Sequence, residues 1–500
     1  MQSTDLRPVG PAAVLLAVFL LLLVPPPGVQ AQEADAPQNV VFILSDDHRH
    51  DFMGFHEAAP DFLETPAMDR MRREGAHLKN AFVTTSLCSP SRASILTGRY
   101  AHNHGVVDNS TRVPDGTTFF PEHVQEAGYQ TGYVGKWHMG RASAEPRPGF
   151  DHWVSFRGQG VYNDPTLNVN GETVQREGYM TDLLTDYALD WLDEQQDNED
   201  PFFLYLSHKA VHAEFDPAQR HEGEYADVEP DYPASMANTK ANYRGKPDWV
   251  KEQRFSWHGV EHMYHGGLTF DAFYRRYVET LLALDESIGA VLNRLEKTGM
   301  AENTLVVYMG DNGFLLGEHG LIDKRNAYEE SIRVPMLAWA PGAIEPGTTI
   351  EALVRNVDVA PTIFDLAGVS APSMSMDGTS FLDLLRGQDG AGDDESRAFL
   401  YEYYWEHAFP HTPTTFALRG GRFKYIYYHG VWGLNELYNL ENDPNERHNL
   451  INVPAYQARV DSMRTRLFDR LEAEDAMQVP MRRGDWQADE RLQDAGSQPE

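Results

Sequence analysis

Asn39-Val-Val-Phe-Ile-Leu-Ser-Asp-Asp47 is the stretch on which the fold turns. Five apolar residues follow one another without a polar break and stop abruptly at Ser45-Asp46-Asp47. A strand with one face in water alternates polar and apolar residues, so an unbroken run predicts a strand buried on both faces. The pattern recurs. Thr304-Leu-Val-Val-Tyr-Met309 stops at Gly310-Asp311-Asn312, and Pro201-Phe-Phe-Leu-Tyr-Leu206 stops at Ser207-His208-Lys209, with His212 just beyond. Helical patterns lie between them. The clearest runs from Tyr274 to Lys297, where Tyr277, Leu281, Leu284, Ile288, Val291 and Leu295 keep a three-four spacing before Gly299. Strands alternating with helices predict an α/β fold, a large mixed, mostly parallel sheet sandwiched by helices. In such sheets the polar residues just past the carboxyl ends of the strands line the active site.

Toward the C-terminus the texture changes. Ala398 to Trp405, Phe416 to Tyr428 and Glu436 to Leu440 read as short aromatic strands separated by turns, which predicts a smaller antiparallel sheet. The stretch from Phe215 to Phe270 is polar, rich in histidine and tyrosine and weakly periodic, as an insertion of loops and short helices near a site mouth would be. The expected organisation is therefore a signal peptide over 1–31 and a main α/β domain over 32–396, with an insertion at about 215–270. A C-terminal α+β subdomain over 397–483 and a disordered tail over 484–500 complete it.

Residues 1–31 read as a secretory signal peptide, because Arg7 precedes 13 apolar residues from Ala12 to Val24, then three prolines and Val29-Gln30-Ala31. The apolar run is shorter than the ~20 residues that cross a bilayer, so cleavage after Ala31 and a secreted or periplasmic protein are expected. The 500-residue chain carries 42 Lys plus Arg against 75 Asp plus Glu, a formal charge of −33. That excludes a nucleic-acid binder built on a basic surface and disfavours a stable partnership with anionic membranes. The single cysteine, Cys88, forms no internal disulfide.

Four hard oxygen donors, Asp46, Asp47, Asp311 and Asn312, fall at the ends of two predicted parallel strands. An all-oxygen set without a paired-histidine helix suits calcium best and magnesium second. Between them in sequence lies Leu87-Cys88-Ser89-Pro90-Ser91-Arg92, followed by Ala93-Ser94-Ile95-Leu96-Thr97-Gly98-Arg99. Here the chain resembles the formylglycine-dependent type I sulfatases of the alkaline phosphatase superfamily, whose members carry Cys-x-Pro-x-Arg. Gly135-Lys136-Trp137-His138 matches the family's Gly-Lys-Trp-His, and His208-Lys209-Ala210-Val211-His212 is similar to its His-Lys-x-Pro-His, with Val211 in place of proline. The segment Leu316-Gly317-Glu318-His319-Gly320-Leu321 with Asp323-Lys324-Arg325 looks most like carbohydrate sulfatases such as the N-acetylglucosamine-6-sulfatase group.

The resemblance implies an alkaline-phosphatase-like fold and a sulfuric ester hydrolase acting on a sulfated carbohydrate or aryl sulfate ester. It implies that a formylglycine-generating maturation enzyme converts Cys88 to formylglycine, whose hydrate supplies the nucleophile. It also implies one divalent metal held by Asp46, Asp47, Asp311, Asn312 and the modified Cys88. Arg92 and Lys136 would hold the hydrate and the sulfate oxygens, His138 would take a proton in the elimination step, His212 would protonate the leaving oxygen, and Lys324 would bind sulfate. Lys136 and His138, two apart, are expected on one face of an extended stretch. Valine at 211 leaves the loop that carries His212 less rigid than proline would. His208, Trp405 and His407 are candidates for substrate contact, and Trp257, His258 and His411 are further rings that either meet sugar or simply pack. Two other readings stay open: a phosphodiester or phosphonate monoester hydrolase of the same superfamily, and a non-catalytic glycan-binding protein on the same scaffold.

Overall fold

In the computed structural model the described residues are Met1, 37–139, 143–263, 266–370, 374–388, 398–407 and 409–480. The signal segment beyond Met1 and the tail over 484–500 lie outside them. The run read first forms the strand Asn39–Ser45, every residue of it buried. Val40, Phe42 and Leu44 enter one apolar cluster and Val41 and Ile43 another, so each face of this strand is core.

That strand is central in a ten-stranded sheet. From one edge to the other the order is Thr348–Ile350, Ala76–Leu78, Met336–Trp339, Thr304–Gly310, Asn39–Ser45, Phe202–Ser207, Gln130–Gly135, His152–Ser155, Thr166–Val169 and Glu172–Gln175. The five strands from Thr304–Gly310 to His152–Ser155 are parallel to one another, whereas Met336–Trp339 and the pairings beyond His152–Ser155 are antiparallel. The mixed, mostly parallel sheet is thus as expected. Helix Phe270–Thr298 buries Tyr277, Leu281, Leu284, Ile288, Val291 and Leu295 on one side of it. The Thr269 hydroxyl accepts from the Ala272 N–H at the start of this helix, and Gly299, at φ 76°, closes its end. Helix Cys88–Thr97 lies on the other side, with Ile95 and Leu96 in the opposite cluster.

Four aromatic-rich strands, Phe399–Tyr403, Thr415–Arg419, Phe423–Tyr428 and Glu436–Asn439, form the smaller antiparallel meander, and helix Gln457–Ala473 packs on it. The described part of the 215–270 stretch is turns and loops with one helix, Asp248–Gln253. No helix among the described residues is long and apolar enough to cross a membrane.

The strand ends coincide because the registers do. Ser45 pairs with Gly310, Leu44 with Ser207, and Gly135 with Ser207. The chain just past each strand is stitched to its neighbour, with Asp311 N–H donating to Ser45 O at 2.9 Å, His208 N–H to Leu44 O at 2.8 Å and Lys136 N–H to Ser207 O at 2.8 Å. Gly135 makes the last of these possible, since its φ is 128° and a Cβ there would sit 1.8 Å from Ser207 O. Gly135→Ala should therefore lower stability by about 3 kcal/mol or more, read as a fall in the urea unfolding midpoint, and an unchanged midpoint would refute the close approach.

Candidate active site

Helix Cys88–Thr97 starts at Cys88 and is buried along all ten residues. Arg92, four residues on, lies on the same helical face one turn away, which is the physical content of the Cys-x-Pro-x-Arg spacing. The Cys88 thiol points at the ends of the central strands, with Sγ 3.5 Å from Asp46 Oδ1 and 3.4 Å from Lys324 Nζ.

Asp46, Asp47 and Asp311 are wholly buried, and one oxygen of each lies within 4.8 Å of the others. Like charges this close repel strongly in a dry site. Cations answer them. Arg92 Nε donates to Asp311 Oδ2 at 2.8 Å and Arg92 Nη2 to Asp46 Oδ2 at 3.2 Å, while Lys136 pairs with Asp46 and Lys324 with Asp47. Arg92 is itself aimed by Ser207 Oγ and Lys136 O, each 2.6 Å from Nη1. Burial raises the Asp46 carboxyl, but Lys136, His212, Arg92 and Lys324 together hold it well below the usual carboxylate range. For Asp47 burial wins, helped by Asp46 and Asp311 against the pull of Lys324, and pushes it up to about 7. Burial and the Asp46 charge push the Cys88 thiol up to about 12, so as a plain thiol it stays protonated at neutral pH and makes a poor nucleophile.

The donors are suited to a hard cation. Asp47 Oδ2 and Asn312 Oδ1 are buried with no hydrogen-bond partner among the described residues, while Asn312 Nδ2 is turned away to Asp47 Oδ1 at 2.6 Å and Gly313 O at 2.9 Å. Asp47 also sits at φ 56°, a left-handed backbone that Asp tolerates better than most residues. Oxygen atoms left unpaired beside clustered carboxylates fit a calcium or magnesium ion held by Asp46, Asp47, Asp311 and Asn312.

Lys324 and His212, which reach Asp47, also line a cavity of about 830 Å³, a size that holds a small ligand. His138 lines it with them, but by a different local path from the one read in the sequence. The strand stops at Gly135 and His138 has φ 50°, so Lys136 and His138 are not alternate residues of an extended stretch. Irregular chain past the strand end, left-handed at His138, brings both to the site, Lys136 to Asp46 and His138 to the cavity wall, with His138 Nδ1 buried and lacking a partner among the described residues. Burial and the Lys136 charge hold His138 well below the usual histidine range.

The loop that carries His212 is held without proline. Asp46 N–H donates to Ala210 O at 2.9 Å and Val211 N–H returns to Asp46 O at 2.8 Å, while the Tyr162 hydroxyl donates to His212 O at 2.7 Å. His212 Nδ1 faces Ala213 O, an acceptor only, while Nε2 lies 3.9 Å from Asp47 Oδ2.

His208 points the other way, its Nε2 3.0 Å from Ser287 Oγ of the long helix, and it does not line the cavity. Burial lowers it to about 3. Trp405, 44% exposed, and His411 border a separate groove, and Trp405 packs edge-on against His407. Glu406 between Trp405 and His407 turns inward instead, with Phe409. His258 is buried, stacked 4.8 Å from the Phe409 ring, while Trp257 does reach the cavity. Lining residues that residue type alone did not single out include Lys209, Tyr162 and Asn109. Arg325 is another, bound to Asp323 and Glu406 at 2.8 Å each, and its motif was the available signal.

A profile of the Sulfatase family matches residues 38–369, and one described as N-sulphoglucosamine sulphohydrolase, C-terminal, matches 317–473. The chain belongs to the sulfatase family. As a sulfatase it is a sulfuric ester hydrolase. An N-acetylglucosamine-6-O-sulfatase of Bacteroides thetaiotaomicron is 33% identical over 501 residues, covering 89% of this chain and 88% of that one. The human N-acetylglucosamine-6-sulfatase is 33% identical over 375 residues, 70% of this sulfatase and 64% of the human chain. A solved structure described as a complex with its substrate D-glucosamine-2-N,6-O-disulfate matches with a TM-score of 0.80 and 31% identity. That match covers 89% of this chain and 99% of the other.

Calcium added to chelator-treated sulfatase should raise its thermal midpoint, since a ligand at a hundred times its Kd stabilises by about 2.7 kcal/mol. Asp311→Ala should lose that response, and a wild-type midpoint indifferent to calcium and magnesium would refute the donor set.

Proposed function

We propose that this sulfatase is exported and removes sulfate from sulfated sugars, with 6-sulfated N-acetylglucosamine units as the leading substrate. The observation that carries the catalytic reading is Cys88 at the head of a buried helix, between Asp46 and Lys324, with Lys324 lining a cavity together with His138 and His212. The names of the relatives at 33% identity and of the glucosamine disulfate complex support the sugar. The pattern of residues 1–31 supports export.

Conversion of Cys88 to formylglycine by a maturation enzyme supplies a hydrated aldehyde, one hydroxyl to attack sulfur and the other to expel sulfate afterwards. A hard divalent cation, calcium ahead of magnesium, on Asp46, Asp47, Asp311 and Asn312 supplies positive charge for the sulfate oxygens and acidifies the attacking hydroxyl. Arg92 spans Asp46 and Asp311 and so fixes the donor oxygens relative to the nucleophile. Lys136 and Lys324 bring ammonium groups to the same point and stabilise charge that builds on the sulfuryl oxygens. Burial and the Lys136 and Lys324 charges hold His212 well below the usual histidine range, so it rests neutral, and it is the negative charge of a bound sulfate ester that lets Nε2 take a proton and deliver it to the departing sugar oxygen, which would otherwise leave as a poor alkoxide. His138 takes up the proton of the second hydroxyl, and burial with the neighbouring Lys136 charge keeps its ring neutral and so free to accept one.

Cys88→Ala and Cys88→Ser should abolish turnover of N-acetylglucosamine 6-sulfate with folding intact. Intact mass analysis of active wild type should find the loss that accompanies thiol-to-aldehyde conversion. Substantial activity in either variant, or in unmodified protein, would sink the mechanism, and faster turnover of matched aryl phosphate than aryl sulfate would favour the phosphoester reading. His212→Asn should cost about 10²- to 10⁴-fold in kcat on the sugar sulfate but far less on 4-nitrophenyl sulfate, whose leaving group needs no proton. Equal losses on the two esters would remove His212 from the acid role.

A further inference from the structure

We propose that Lys209, seated on the ring of Tyr162, forms a second anion-binding position beside the scissile ester. It would take a sulfate or carboxylate carried by the same sugar or its neighbour. The inference rests on the sugar-sulfatase reading and sharpens it, because it makes the preferred substrate a doubly anionic one.

Lys209 is 4% exposed and lines the cavity together with His138, His212 and Lys324. Its Nζ lies 4.5 Å from the centre of the Tyr162 ring, and among the described residues it makes no hydrogen bond and no ion pair. The other buried cations around the site are all answered by carboxylates. Lys136 has Asp46, Lys324 has Asp47, Arg92 has Asp46 and Asp311, and Arg325 has Asp323 and Glu406. An ammonium taken out of water without a counter-charge is costly, and an aromatic face offsets only part of that cost. A neutral sugar hydroxyl would meet one of the three ammonium donors but leave the charge uncompensated, whereas an anionic group meets both needs.

The position is also rigid, which a binding contact requires. Lys209 O accepts from His212 N–H at 2.9 Å, and Tyr162 is fixed by its hydroxyl on His212 O and by stacking on Tyr179 at 5.7 Å. Lys209 stands beside the carboxylate cluster without joining it, unlike Lys136 and Lys324. That separates it from the cations that meet the sulfate being cleaved and places it where a second substituent of the substrate would lie. The signal in the sequence was its place between His208 and His212, in a motif whose histidines drew the attention.

The test uses mature full-length protein and the variants Lys209→Met, which keeps length without charge, and Lys209→Arg. The steady-state substrates are N-acetylglucosamine 6-sulfate, glucosamine 2-N,6-O-disulfate, and a disaccharide joining a uronate to a 6-sulfated glucosamine. Wild type should prefer at least one doubly anionic substrate, through KM. Lys209→Met should lose about tenfold more kcat/KM on that substrate than on N-acetylglucosamine 6-sulfate, the scale of one charge-assisted hydrogen bond. Lys209→Arg should recover part of the difference, and whichever doubly anionic substrate responds identifies the second group as sulfate or carboxylate. Equal losses on all three substrates, or no loss on any, would overturn the proposal. Turnover of N-acetylglucosamine 6-sulfate without a preference that depends on Lys209 would overturn it alone, while failure of wild type on every sugar would overturn the substrate reading with it.

Discussion

Three buried carboxylates must share one small volume, and much of the chain is arranged to let them. Asp46, Asp47 and Asp311 offer oxygens within 4.8 Å of one another at zero exposure, a grouping that repulsion and desolvation would disperse if it stood alone. The matched registers of the central strands bring Asp46 and Asp311 level, so backbone hydrogen bonds, not side-chain attraction, hold them in place. Arg92, Lys136 and Lys324 then set three positive charges against the three formal negative ones. A divalent cation added to such a balanced set leaves it net positive, and a sulfate ester is the kind of anion that such a set receives.

Lys324 sits on a loop, so its reach into this cluster depends on what backs the loop. The residues that follow it are clamped to the C-terminal sheet. Arg325 bonds Glu406, the Tyr328 hydroxyl donates to Glu436 at 3.0 Å, and Glu329 pairs with Arg419 at 3.1 Å and Lys424 at 3.0 Å. Lys246, from the polar stretch between the strands, lies 4.2 Å from the Tyr328 ring and 4.7 Å from that of Tyr438, and it donates to Glu446 O at 2.8 Å. Partners in buried networks of this kind are not exchangeable singly, because removal of one leaves an uncompensated charge. The smaller sheet is therefore a backing for the site: it fixes Lys324 and Arg325 from behind and turns Glu406 and Phe409 into the cavity.

What the sequence made legible follows from periodicity and from motif. Doubly buried strands announce themselves by unbroken apolar runs, and the long helix by its three-four spacing, so the centre of the sheet and its main cover were readable. The flanking strands Ala76–Leu78 and Thr348–Ile350, three residues each, are too short to carry a pattern. Periodicity also ends where a strand ends, and the chemistry lies just beyond. Extrapolating the strand through Lys136 and His138 misses the left-handed turn at His138, and choosing between His208 and Lys209 by residue type selects the one that faces Ser287 and passes over the one that faces the cavity. Trp405 and His407 drew attention as rings, while Glu406 between them is the residue that turns inward. The motif fixed which residues meet at the nucleophile because its spacing encodes a helix turn and a strand end. The substrate side, assembled from eight separate stretches of chain, has no such internal ruler.

The remaining tension is between a formal charge of −33 and a site that must attract an anion. Distance resolves it. At physiological salt a surface charge is screened beyond roughly 8 Å, so the acidic exterior acts on an approaching sulfated chain but little on a group already inside the cavity. There Lys209, Lys324 and Arg325 are all nearly buried, and their fields are little diluted by bulk water. The exterior therefore governs how often a polyanionic substrate arrives, and does so less as salt rises, whereas the cavity governs what stays and reacts. Separating the two lets the protein remain strongly acidic without weakening the contacts that recognise sulfate.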